Sequence, residues 1–342
     1  MTNLLEPWVL LRLSAGLVAF ALFARGAMTA QKVLRHFDVR RATEGQLALE
    51  KQLELAATFA RVAAVVQALA LVLSALAADR MSHGVRGAMC AYGVFSAHEW
   101  GFRSLAATTG VALAAGIVTQ LYAFDARVRS FDLARPLAIA TCLMAPLSLL
   151  DLAAASKFLL GLDLSVVASC CSVQLDPIAA TGEAHAFGPR VLLTVIAVTG
   201  TLLSITAALL AARSPSRARV LAAGVLSVLT LPAALAASVL EVAPHAFEVP
   251  THVCPFCLLN GDVFAIGYPL YGALFFATVL AGGTAVSAVL SRSAAAKAAL
   301  GAFVARRLRL GAIAWGCALA LGALPVIRFA IVAGGASLFQ GP

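Results

Sequence analysis

Two cysteines three residues apart, Cys254 and Cys257, lie in the stretch His252-Val253-Cys254-Pro255-Phe256-Cys257-Leu258-Leu259. A C-x2-C pair can close a small disulfide ring or supply half of a metal site. Cysteine attacks and ligates as the thiolate. A pair set where a helix begins, with Pro255 in its first turn and His252 close by, favours that form. On this reading Cys254 is the more exposed nucleophile and His252 tunes it. Three further cysteines bear on the same chemistry. Cys90 lies in Met89-Cys90-Ala91-Tyr92-Gly93-Val94-Phe95, and Cys170 and Cys171 are adjacent. A disulfide between neighbours closes a very small, strained ring that is easily reduced. The vicinal pair therefore reads as a labile redox pair, a soft-metal clamp, or two cysteines with different partners, Cys90 being a natural partner for one. Five such cysteines cannot all pair, so any scheme leaves one thiol outside the disulfides.

The elements that must position these residues are membrane helices. Hydrophobic residues make up 61% of the 342-residue chain and charged residues 12%. A soluble domain carries about 25% charged residues. Half that share, spread over apolar runs of twenty or more residues, predicts an all-α, polytopic integral membrane bundle. About eight transmembrane helices follow, near residues 9–27, 56–77, 105–123, 136–159, 191–211, 220–240, 263–290 and 310–332. The mixed-charge stretch 31–52 is expected to be helical, lying at the surface or extending the second span. Short interfacial helices are expected near Arg40 and Tyr92, and a basic linker over 292–309. The chain reads as one transmembrane domain, 1–342. A four-plus-four arrangement of halves, 1–160 and 190–342 joined by the outer loop 161–190, is suggested by the shared cysteine-and-aromatic pattern of the Cys90 and Cys254 loops.

Charge sets the expected orientation. The loops after spans one, three, five and seven carry Lys32, Arg35, Arg40, Arg41, Lys51, Arg127, Arg129, Arg135, Arg213, Arg217, Arg219, Arg292, Lys297, Arg306, Arg307 and Arg309. The other loops carry far fewer. By the positive-inside rule, both termini and the cysteine loops face the extracytoplasmic side of a cell inner membrane. The net charge of +9 is thereby explained by loops facing the cytoplasm. No dense basic block or phosphate-binding glycine motif points to nucleic acid. The first apolar run is read as a retained span rather than a signal peptide. Membrane lipid is the expected surrounding partner.

Three functions fit this pattern. The first is thiol–disulfide oxidoreduction or electron transfer, with Cys254 and Cys257 as the active pair. Cys170, Cys171 and Cys90 then form a second group that exchanges electrons with it, and an extracytoplasmic thiol protein or a membrane complex is the partner. The second is binding or transport of a soft metal such as copper, zinc or mercury by Cys254, Cys257, Cys170, Cys171, His252, His83 and His98. The third is an accessory subunit whose outer disulfides only stabilise loops. No C-x-x-C-H occurs, so covalent haem attachment is not supported. Asp151 lies inside the fourth span, where an ionisable group is costly. It reads as an interhelical hydrogen-bonding residue or as a proton handler near the thiols.

In cysteine placement the chain resembles membrane thiol oxidoreductases that make disulfides and pass electrons to quinone. Those proteins keep a C-x2-C near the outer end of a membrane helix and a second cysteine pair in an outer loop. The resemblance implies that Cys254 and Cys257 are the first set, that Cys170, Cys171 or Cys90 serve as the second, and that quinone is the cofactor. The family has a four-helix core, whereas about eight spans are read here. The vicinal pair alone is also similar to that of small mercury-uptake membrane proteins.

Overall fold

The computed structural model describes residues 6–36, 44–128, 132–164 and 189–339. All regular structure among them is helical. The order is α1 (Pro7–His36), α2 (Glu44–Met81), α3 (Ala91–Ser96), α4 (Gly101–Val128), α5 (Ala134–Gly161), α6 (Pro189–Arg213), α7 (Arg217–Ala237), α8 (Ala243–Phe247), α9 (Gly267–Leu290) and α10 (Ala294–Val332). A π-helical turn, Ser238–Val242, joins α7 to α8. Among the described residues eight helices are long and apolar enough to cross a membrane, so the chain is a multi-pass membrane protein. Their outer faces, with Leu17, Val65, Leu150, Leu229 and Ile313 all about half exposed or more, are surfaces for lipid.

The helices correspond to the apolar runs but overshoot them. About twenty residues cross the hydrocarbon; α2 has 38 and α10 has 39. The mixed-charge stretch extends the second span, since α2 starts at Glu44. The expected basic linker is helix from Ala294 on. Its buried Ala296, Phe303, Val304 and Leu308 recur at helical spacing, and the arginines occupy the turns between. The short helix expected near Tyr92 is α3. The one expected near Arg40 falls outside the described residues.

The chain divides into two compact units. The first comprises residues 1–85, 94–166 and 286–303, and the second residues 86–93, 167–285 and 304–342. In the first, α1 packs on α2 and α5, and α4 packs on the same two helices. A buried ion pair ties all four together. Arg12 and Asp151 are both fully buried, with Arg12 Nη2 2.9 Å from Asp151 Oδ1. Thr108 of α4 donates to Oδ1 at 2.5 Å, and Gln67 of α2 donates to Oδ2 at 2.8 Å. Arg12 Nε donates to Ser74 Oγ at 2.6 Å. A carboxylate buried among membrane helices is tolerable because its lone pairs are filled this way.

In the second unit, α6 packs on α7. Leu258, Leu270, Leu274, Trp315 and Ala318 form a buried core. Trp315 meets the demand for an indole partner by donating Nε1–H to Ser227 Oγ at 2.7 Å. At the end of α7 the chain widens into the π turn, which carries Glu241. Arg190 donates to Glu241 Oε2 at 2.7 Å.

Candidate thiol site

The loop Arg86–Gly93 brings Cys90 into the second unit, and the segment between α8 and α9 brings Cys254 and Cys257. Two glycines make this possible. A Cβ on Gly93 would sit 2.9 Å from Ala88, so the Cys90 loop folds back tightly on the start of α3. A Cβ on Gly267 would sit 2.9 Å from the Leu258 carbonyl, so α9 begins directly against the cysteine turn. The turn itself is short. Leu259 N–H donates to Phe256 O at 2.9 Å and Asn260 N–H to Cys257 O at 3.0 Å. The helix expected to begin at the C-x2-C pair is therefore only a 3-10 turn, Cys257–Leu259, and α9 starts at Gly267.

The three sulfurs lie within 4.8 Å of one another. Cys90 Sγ and Cys254 Sγ are 3.4 Å apart although 164 residues separate them. That separation is a non-bonded thiol contact, well beyond a covalent S–S bond of about 2.05 Å. Cys254 is 0% exposed, Cys90 2% and Cys257 8%. The expectation that Cys254 is the more exposed nucleophile is thus corrected: it is the most enclosed of the three. Tyr92, Phe247 and Phe256 pack around the sulfurs. This apolar wall excludes water and suits soft sulfur chemistry more than hydrolysis.

His252 stands beside the group. Its ring stacks on Phe247 with centroids 4.1 Å apart. Its Nε2 is buried with no hydrogen-bond partner among the described residues. Burial pushes the imidazole below the usual histidine range, while the neighbouring Cys90 pulls the other way. His252 does not belong to the set of donor atoms that lie within 4.8 Å of one another.

The remaining candidates divide sharply. Cys170 and Cys171 lie outside the described residues. His83, exposed in the turn Ser82–Gly84, and His98 both belong to the first unit, and neither is in the three-sulfur group. His98 Nδ1 accepts the Trp100 N–H at 3.1 Å, a local turn contact. Two groups that the sequence reading did not single out prove important. Arg12 is the partner of Asp151. Tyr271, on the first turns of α9, donates its hydroxyl to Pro255 O at 3.0 Å. An arginine inside an apolar run was a readable signal, whereas the tyrosine bond has no sequence signature.

The chain matches no family model, no curated protein and no solved structure.

Proposed function

We propose that this multi-pass membrane protein captures a soft metal ion, Cu(I) or Zn(II), at a three-thiolate site made by Cys90, Cys254 and Cys257. The observation that supports this is convergence: three buried sulfurs from two distant loops within 4.8 Å of one another. A metal–sulfur bond of about 2.3 Å sets sulfur–sulfur spacings of roughly 4 Å around one ion. The thiols need only small shifts to reach that spacing. Thiolates select soft and borderline ions. Each thiol gives up its proton as the ion binds, so affinity falls as pH falls. The basic loops argue for a cell inner membrane with the cysteine loops on the extracytoplasmic side, where an ion arriving from outside would be taken up.

The test is anaerobic titration of the reduced, detergent-purified protein with Cu(I) against a chromophoric competitor. One ion per chain is expected, and Cys90→Ser, Cys254→Ser and Cys257→Ser should each weaken binding by about 100-fold or more. Tight binding untouched by Cys90→Ser would contradict a three-thiolate site.

A second reading is favoured by the 3.4 Å contact of Cys90 with Cys254. In it the two thiols reduce a partner protein's disulfide. They lose two electrons and two protons and form a Cys90–Cys254 bond, while the partner gains two thiols. Cys257 is then close enough to attack that bond and pass it on. Alkylation of cells quenched in acid, followed by mapping of disulfide-linked peptides, separates the two. Three alkylated thiols favour metal capture; a Cys90–Cys254 link favours exchange.

A further inference from the structure

We infer that Tyr271 is the positioning residue of the thiol site: its hydroxyl, bound to the Pro255 carbonyl, holds the peptide between Cys254 and Cys257 so that both sulfurs turn toward Cys90. The identity of the ion rests on the soft-metal reading above; the positioning does not.

Proline has no N–H, so residue 255 can anchor the turn only through its carbonyl. Backbone bonds to Phe256 O and Cys257 O close the 3-10 turn that follows it. Tyr271 supplies the side-chain bond to Pro255 O at 3.0 Å, reaching back 16 residues. The tyrosine is itself held on two sides. Its ring packs on the core that contains Leu258, Leu270, Leu274 and Trp315. Its hydroxyl also lies 3.5 Å from Ser238 Oγ, at the first residue of the π turn. A π turn inserted at the end of a membrane helix often marks a functional site; the hydroxyl of Ser238, which opens this one, donates to Leu235 O at 2.7 Å. Residues that orient ligands in this way typically change metal affinity 10- to 100-fold when removed.

The test is Tyr271→Phe, which keeps the ring and removes only the hydroxyl. Cu(I) affinity is expected to fall by about 10-fold or more. With Cd(II) as a spectroscopic probe, the thiolate-to-metal absorbance per bound ion should drop from a three-thiolate to a two-thiolate intensity. A merely structural role would lower thermal stability and leave that intensity per ion unchanged. A third readout needs no metal. Phenylarsine oxide bridges two neighbouring thiols, and in a Cys90→Ser background it reports on Cys254 and Cys257 alone. Tyr271→Phe should slow that bridging several-fold relative to Cys90→Ser with tyrosine present. If the parent protein binds no metal but the arsenical rate falls, the ion is wrong and the positioning stands. Unchanged affinity, unchanged Cd(II) absorbance and an unchanged arsenical rate would together overturn it.

Discussion

Two buried clusters, one in each unit of the molecule, are built on opposite principles. In the first, Asp151 is fully buried and its oxygens are taken up by Arg12, Gln67 and Thr108, from three other helices. Arg12 Nη1 and Gln67 Oε1 are the members of that cluster left without a partner among the described residues. In the second, three sulfurs converge on one another from loops, in apolar surroundings. A carboxylate with its lone pairs filled has little capacity left for chemistry; it ties helices together. Thiols desolvate at little cost and gather in one place without a counter-charge, which is the arrangement on which the proposed soft-metal site rests. Burial alone does not identify a functional site; what the buried group faces does.

The largest effect should come from breaking the ion pair. Asp151→Ala strands the Arg12 charge among membrane helices, and removing one partner of a buried pair costs about 3–5 kcal/mol. The variant should lose most of its folded yield, read by fluorescence-detected size exclusion after heating in detergent. Replacing both partners, Arg12→Met with Asp151→Leu, should restore much of the stability. Metal bound per folded molecule should stay at the parent value. A lost thiol site in the folded double variant would show that the two clusters are not independent.

The converse comes next. Cys254→Ser should weaken Cu(I) binding by about 100-fold or more while the melting temperature in the absence of metal moves little. A smaller change is expected from Ser227→Ala, which removes the acceptor of the buried Trp315 indole. It should cost about 1–3 kcal/mol of stability and leave metal affinity unchanged, separating core packing in the second unit from its site. Smallest of all is Glu99→Gln. Its pairing with Arg103 is exposed and 4.0 Å long, so neither melting nor binding should shift measurably.

The eight spans were readable because each carries an apolar window long enough to cross the hydrocarbon, and a few charges do not hide it. Helix ends were less readable. Beyond their apolar windows, α2 and α10 continue as helices whose charged residues resemble loop residues in a linear scan. The start of the seventh span moved from residue 263 to Gly267 because the segment after Cys257 folds as two 3-10 turns. Within the site, the spacing of Cys254 and Cys257 marked them as a candidate thiol pair, whereas Cys90 was grouped with Cys170 and Cys171. That Cys90 and Cys254 touch was not evident, because loop-to-loop distances depend on how the helices pack. Asp151 announced itself as a charge inside an apolar run. Arg12 carried the same signal with the opposite sign, and pairing the two was the inference available from sequence. Tyr271 gave no signal, since a tyrosine near a membrane surface is ordinarily an interfacial anchor.

X-ray absorption at the metal edge of the Cu(I)-loaded, reduced protein tests the three-thiolate site most directly. Three sulfur neighbours at about 2.3 Å are expected, falling to two in Cys90→Ser. A first shell of nitrogen and oxygen, or one with two sulfurs that Cys90→Ser leaves unchanged, would contradict it.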